Sequence, residues 1–298
     1  TMRSDKSEIL PYNFKNYFVF IGTERLSDHP NRCMFNHWHD DLEIVIPIQG
    51  NMVYNINGDL IRLEPGKGVF VNSNQIHYGF SPDDSDCVFI YALWHPMLLC
   101  ATNEIESEYV NPIVKNSSIP YLKLNVQCDW HHSLMDDVLK MHEQLSERAA
   151  PLVLQSYIFD IWHTIFVNTT QERKRSASVS PQLSILKDML SFIHDGYHEK
   201  MTLNEIADSG NISISNCNVI FKKYLKESPI KYLLNYRLMK STELLISSAM
   251  PITEVAFEVG FSNPSYYIDA FKKAYGNTPN DYRKKHRKAD VFEEYTDN

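Results

Sequence analysis

The 298-residue chain predicts a multidomain α+β protein. An N-terminal antiparallel β-barrel with following helices comes first, and an all-α domain of two helix-turn-helix units joined by a long helix comes second. Three observations carry this. Residues 17–100 hold short, roughly alternating apolar runs separated by turn residues. From Trp130 the apolar spacing changes to that of helices. The last hundred residues contain one sequence unit twice.

In the first region Asn57-Gly58 lies between Met52-Val-Tyr-Asn-Ile56 and Asp59-Leu-Ile-Arg-Leu63, which predicts a tight hairpin. Pro65-Gly66 marks a second turn, and Gly68–Val71 and Gln75–Phe80 are short strand candidates. Many short strands without intervening helices suggest a barrel or sandwich, placed at residues 1–127. Leu134, Val138, Met141 and Leu145 then recur at helical spacing, and Leu152 to Val167 reads as a second, more apolar helix. A barrel can cover such a stripe on one side only, so residues 128–170 are predicted to hold a homodimer together. Residues 171–181 are polar and small, a linker by composition. Its basic run Arg173-Lys174-Arg175 is read chiefly as a solvated stretch.

The duplicated unit occupies residues 182–288. Its first copy runs Leu203-Asn-Glu-Ile-Ala207, Ser215, Asn218, Phe221-Lys-Lys223, Pro229 and Tyr232. Its second runs Ile252-Thr-Glu-Val-Ala256, Ser265, Ile268, Phe271-Lys-Lys273, Pro279 and Tyr282. The copies are 49 residues apart at the front and 50 from the serines onward, so one additional residue sits in the second turn. Thr202-Leu-Asn-Glu205 is a capping box. Gly210-Asn211 and Gly260 supply the turns, while Ala207 and Ala256 are small where two helices must cross. Phe221, Phe271, Val255, Val259 and Phe261 read as core. Ile230 to Ser247 is predicted as one helix, a rod of about 27 Å. With the flanking helices added, the second helices of the two units lie roughly 34 Å apart, one turn of DNA. That spacing predicts bipartite reading of one face of a duplex.

Charge divides the same way. Residues 1–179 carry 14 basic and 22 acidic side chains, a net −8, whereas residues 180–288 carry 15 and 11, a net +4. Residues 289–298 form an acidic tail. The five cysteines (Cys33, Cys87, Cys100, Cys128, Cys217) are odd in number and contain no C-x-x-C pair. Neither a zinc finger nor a disulfide framework is predicted, and a reducing cytoplasm fits. No apolar run reaches membrane-spanning length, since the best, Cys87 to Cys100, is broken by His95-Pro96. No signal-peptide pattern opens the chain. Thr1 before Met2 reads as a cloning remnant, with Met2 the natural start. No nucleophile elbow, Cys/His pair or phosphate loop is present, so no enzyme is predicted from motifs.

Arg237-Leu-Met-Lys-Ser-Thr-Glu-Leu-Leu245, Ile252-Thr-Glu-Val-Ala-Phe-Glu-Val-Gly-Phe-Ser262 and Phe271-Lys-Lys-Ala-Tyr-Gly-Asn-Thr-Pro-Asn-Asp-Tyr-Arg283 resemble the AraC/XylS family of bacterial transcription regulators. The resemblance implies that the second helix of each unit enters the major groove. It assigns base-edge contacts to Ser215, Asn218 and Val219 in the first unit and to Ser265, Ile268 and Asp269 in the second. The position two before the Phe is often Arg in the family. Here it is Val219 or Asp269, and neither makes a bidentate guanine contact. Lys222, Lys223, Lys272 and Lys273 are predicted as phosphate neighbours. The family implies double-stranded DNA as partner, a small-molecule effector, a homodimer, and RNA polymerase wherever such a regulator activates.

His37-Trp-His39-Asp-Asp-Leu-Glu43, with Gly50 seven residues on and His77 beyond Pro65-Gly66, resembles the cupin motif pair. Residues 37, 39 and 43 share parity, so extended backbone would point them into the barrel together. Three imidazoles and a carboxylate can ligate a divalent transition metal, the one cofactor this pattern allows. They can equally line a site for an organic effector or bond one another. The expected effector site is His37, His39, Glu43 and His77 with Trp38 and Tyr54 beside them. A carbohydrate-like molecule suits groups that both donate and accept hydrogen bonds. Two alternatives stay open: a metal-dependent cupin enzyme fused to a DNA-binding domain, and a constitutive DNA-binding dimer without effector.

Overall fold

Asn57 and Gly58 both adopt positive φ, 51° and 92°, as a two-residue type I′ turn demands. They join β3 (Met52–Ile56) to β4 (Asp59–Leu63) with Ile56 opposite Asp59. At the next turn Gly66 has φ 87° and Lys67 N–H donates to Glu64 O at 2.9 Å, which starts β5 (Lys67–Val71). These turns belong to a computed structural model that describes residues 12–169 and 181–293. The chain divides into two compact units, Thr1–Val179 and Ser180–Asn298.

The remaining strands are β1 (Val19–Arg25), β2 (Leu42–Gly50), β6 (His77–Phe80), β7 (Cys87–Trp94) and β8 (Tyr121–Asn125). They form two antiparallel sheets, ordered β1-β7-β2-β5-β8 and β4-β3-β6. The barrel expected from sequence is therefore open: β5 leaves β4 at the Pro65-Gly66 turn and pairs with β2 in the other sheet. Between β7 and β8 lie α1 (Asn103–Ile105), a π-helical turn (Glu106–Val110) and α2 (Asn111–Val114), none of them anticipated.

Alternation along β2 sorts its side chains into two cores. Ile44 and Ile46 face α3 (Asp129–Glu143) and α4 (Ala150–Thr169), in one cluster with Phe70, Trp94, Ile158 and Ile161. Val45 faces the smaller sheet with Tyr54, Val69 and Val71. Leu134, Val138 and Met141 are fully buried in the first cluster. That stripe covers the large sheet of its own chain, so Leu134, Val138 and Met141 are not the exposed face that the sequence expectation gave them. Leu145 lies beyond the end of α3 and packs against the same cluster.

The second unit opens with α5 (Pro181–Gly196), outside the repeat, whose Leu186, Met189, Leu190 and Ile193 are buried. Then follow α6 (Leu203–Ser209), α7 (Ile214–Leu225), α8 (Pro229–Ser247), α9 (Ile252–Glu258), α10 (Pro264–Tyr275) and α11 (Pro279–Glu293). Four residues separate α6 from α7 and five separate α9 from α10, so the additional residue falls in the second turn. The capping box of α6 is complete: Thr202 N–H donates to Glu205 Oε2 at 2.7 Å and Glu205 N–H returns to Thr202 Oγ1 at 3.3 Å. The long helix α8 spans 19 residues without a break.

The turn glycine of the second unit is seated on the end of α5. Gly260 has φ 88°, and a Cβ there would stand 2.5 Å from Tyr197 O. Arg237 of α8 grips the same stretch, donating from Nε to Tyr197 O and from Nη2 to Glu199 O, both at 2.7 Å. Tyr197 packs on the second unit's core of Leu238, Val255, Val259, Phe261 and Phe271. Helix α11 runs to Glu293, into the expected acidic tail. Residues 170–180, with Arg173-Lys174-Arg175, and residues 294–298 lie outside the described residues. Among the described residues no helix is long and apolar enough to cross a membrane.

Candidate functional site

His37, His39, Glu43 and His77 converge between the sheets, each offering one ligand atom, with all four atoms within 4.8 Å of one another. The convergence does not arise from one extended strand. Only Glu43 lies in β2. His37 precedes that strand and exchanges backbone hydrogen bonds with His77 of β6, at 3.2 and 3.0 Å, so it belongs beside the small sheet. The chain then crosses to the large sheet through His39 and Asp41.

Each imidazole is oriented from behind. His37 Nδ1 meets Phe35 O at 2.9 Å, His39 Nδ1 meets Asp41 O at 3.0 Å, and His77 Nδ1 meets Gln75 O at 2.8 Å. A carbonyl only accepts, so each Nδ1 carries a hydrogen and the Nε2 lone pair of a neutral ring is left for the cluster. Glu43 Oε2 stands 2.7 Å from His77 Nε2 and 3.4 Å from His39 Nε2. The other oxygen, Oε1, accepts from Tyr54 OH at 3.0 Å. His39 and His77 are 1% exposed and Glu43 3%.

Two acceptors at 2.7 Å repel unless a proton or another cation lies between them. Burial acts against charge on His39, yet the hydrogen bond and charge of Glu43 outweigh it and raise the imidazole above its usual range. Burial likewise opposes ionisation of Glu43, but His77 and His39 overcome it and hold the carboxyl well below the carboxylate range. Burial, followed by the Glu43 charge, pushes the Tyr54 phenol well up. His39 Nε2, Glu43 Oε2 and His77 Nε2 are all buried from solvent. Three imidazoles locked in one tautomer around a carboxylate fit a divalent transition metal by donor chemistry.

Trp38 is buried and Tyr54 joins the cluster through Glu43. Sequence reading missed Asp41, fully buried, whose Oδ1 accepts from Tyr12 OH at 2.9 Å. Its signal was present in the sequence, because a carboxylate directly before an apolar strand needs a partner.

In the second unit Ser215, Val219, Lys222 and Lys223 lie on the exposed face of α7. Asn218 donates to Ile214 O at 3.0 Å, and Lys223 reaches Gln182 Oε1 at 2.8 Å. On α10, Ser265, Asp269, Lys272 and Lys273 are exposed, whereas Ile268 is half-buried against the core. Exposed Ile214, Asn216 and Tyr266 share these outward faces and were not singled out from sequence. Their buried opposites, Cys217, Ile220, Phe221, Tyr267 and Phe271, show which side the fold consumes.

Residues 20–161 match the AraC-like ligand binding domain family, and residues 206–285 match a helix-turn-helix domain family. The chain is 32% identical over 251 residues to the HTH-type transcriptional regulator YdeC of Bacillus subtilis, covering 83% of this chain and 85% of that one. It is 23% identical over 260 residues to the melibiose operon regulatory protein of Escherichia coli, with 86% and 85% covered. Fatty-acid-bound ToxT from Vibrio cholerae aligns over 91% of this chain and 97% of its own at 13% identity, with a TM-score of 0.49. Paired helix-turn-helix units carried with a ligand-binding domain of this kind define a DNA-binding transcription regulator. The chain belongs to the AraC family. Its relatives are transcription regulators, and its partner through the second unit is double-stranded DNA.

Proposed function

We propose that this regulator senses through the buried His37, His39, Glu43 and His77 cluster, and that the cluster's occupant is a divalent transition-metal ion. One observation carries the reading: three imidazoles, each with Nδ1 held by a backbone carbonyl, converge with one buried carboxylate so that all four ligand atoms lie within 4.8 Å of one another. His37, His39 and His77 would hold the ion with Glu43 Oε2. The ion would supply a fixed positive charge beside the buried carboxylate. Ligands drawn from both sheets would fasten those sheets together. Elemental analysis of the purified full-length protein tests this. About one equivalent of metal is expected, lost in His77→Ala. Absence of metal, together with no gain in melting temperature on adding zinc, manganese, cobalt, nickel or ferrous ions, overturns it.

A second reading concerns the organic effector. The relative named for the melibiose operon supports a carbohydrate-like molecule, with Trp38 and Tyr54 beside the cluster. A sugar held at 100 times its Kd would stabilise the folded protein by about 2.7 kcal/mol. A sugar panel that leaves the melting temperature unchanged, with and without metal, removes this class.

For assembly, the reading is a homodimer through the outward face of α4. Leu152 (77% exposed), Phe159 and Val167 recur there at intervals of 7 and 8 residues, one side of a helix. Two copies of such a stripe are self-complementary. The cytoplasm, where bacterial DNA lies, is the place of work. Where the regulator activates, RNA polymerase is its protein partner.

A further inference from the structure

The two reading helices share Ser215/Ser265, Phe221/Phe271 and the two lysines that follow, and of the positions at which they differ only one changes charge. In α7, Val219 sits at the centre of the exposed face, 57% exposed, between Ser215 one turn before and Lys222 and Lys223 one turn after. In α10 the same place, between Ser265 and Lys272 with Lys273, is held by Asp269. Asp269 is exposed and, among the described residues, makes no hydrogen bond or ion pair, although lysines follow three and four residues later.

On an ordinary surface neither residue would need an explanation, since single exposed valines and solvated carboxylates are common. Here the surface faces a polyanion. A carboxylate brought among phosphates is repelled unless it accepts a hydrogen bond. The major groove offers two donors, cytosine N4 and adenine N6. Adenine places its N7 acceptor beside its amine, which repels a carboxylate's second oxygen, so cytosine is the better partner. The groove offers one apolar group, the thymine methyl, and that is what an exposed valine flanked by polar residues can bury against. Exposed Ile214 extends the apolar surface at the start of α7.

We propose that Asp269 reads a cytosine and Val219 a thymine, so that the operator consists of two unlike half-sites about one helical turn apart. A direct repeat of one half-site would not be the preferred target. The inference rests on DNA binding by the paired units and is independent of what occupies the N-terminal domain.

The test uses the full-length protein and a randomised duplex library of ~40 base pairs, long enough for two half-sites one turn apart, selected at fixed salt because phosphate contacts make affinity salt-dependent. The wild type should select a cytosine in one half-site and a thymine in the other. Asp269→Ala should lose about 10- to 100-fold discrimination at the cytosine alone, while binding to unrelated duplex strengthens because a negative charge has gone. Asp269→Asn should shift that position toward adenine, whose N6 and N7 an amide can meet together. The exchange Val219→Asp with Asp269→Val should swap the two preferences. Both side chains are exposed, so an unchanged circular-dichroism melt confirms that each variant is folded. Identical half-sites, or an Asp269→Ala variant with unaltered preference at every position, overturns the proposal.

Discussion

The carboxylate of Glu43 is divided between two residues of the opposite sheet. Tyr54 donates to Oε1 at 3.0 Å, and His77 Nε2 stands 2.7 Å from Oε2. The phenol thus fixes which oxygen faces the three imidazoles. Tyr54→Phe keeps every ligand and the ring but releases that oxygen. Metal affinity, measured by competition with a colorimetric chelator, should fall about 10- to 100-fold. Equal affinity in the variant would reduce Tyr54 to a packing residue.

Much of this was legible because its causes are local. Asn57-Gly58 dictates a hairpin whatever surrounds it, and the turn insertion between Ala256 and Ser265 is a matter of counting. The cluster was legible as residue types, but its construction was not. Parity says which way a side chain points from a strand and cannot say that His37 lies beside one sheet and Glu43 in the other. The stripe Leu134, Val138 and Met141 failed as a dimer face for a related reason. An amphipathic helix announces that something covers it, and the large sheet of its own chain was the nearest candidate. Strand β8 went unseen because Tyr121–Asn125 is short and edge-placed, with only Leu124 fully buried.

A pH effect is expected from Glu227, at the start of α8. Burial pushes its carboxyl from 4.5 up to about 7, although it accepts from Asn235 Nδ2 at 2.9 Å. A carboxyl whose folded pKa exceeds its unfolded one favours folding below the unfolded value. Stability therefore declines as pH rises from about 4.5 through about 7 and is level beyond. Glu227→Gln keeps an acceptor for Asn235 and removes the ionisation. The variant should melt above the wild type at pH 8, by on the order of 3 kcal/mol at most, and coincide with it at pH 4. The positive end of α8 stabilises the ionised form and trims the gain. Coincident melts at pH 8 would show that water reaches Glu227.

Ser265→Glu places a carboxylate one turn before Asp269 on the exposed face of α10. Duplex binding by the full-length protein should weaken at least tenfold if both units engage. Titration at one low salt concentration is the measurement, since phosphate contacts make the affinity salt-dependent. Unchanged affinity would mean that the second unit stands off the DNA.

Light scattering of the full-length protein at micromolar concentration should give a dimer mass. Phe159→Asp, at an outward site on α4 and away from the buried core, should give a monomer of unaltered melting temperature. A wild-type monomer would confine pairing to the DNA-bound state, and a dimeric variant would move the contact off α4.

The seat of Gly260 on the carbonyls of Tyr197 and His198 has a consequence for the operator. A linker helix alone could twist or bow, letting each reading helix find its own groove. With the second unit's turn pressed on the end of α5 and held there through Arg237, the pair behaves as a caliper of one setting. DNA that does not present its grooves at that setting must bend to meet it, at a cost of order 1–6 kcal/mol that depends on sequence. Base pairs touched by neither helix then acquire a say in affinity, through the ease with which they flex. One base pair added between the half-sites should accordingly cost more than any single mismatch within them.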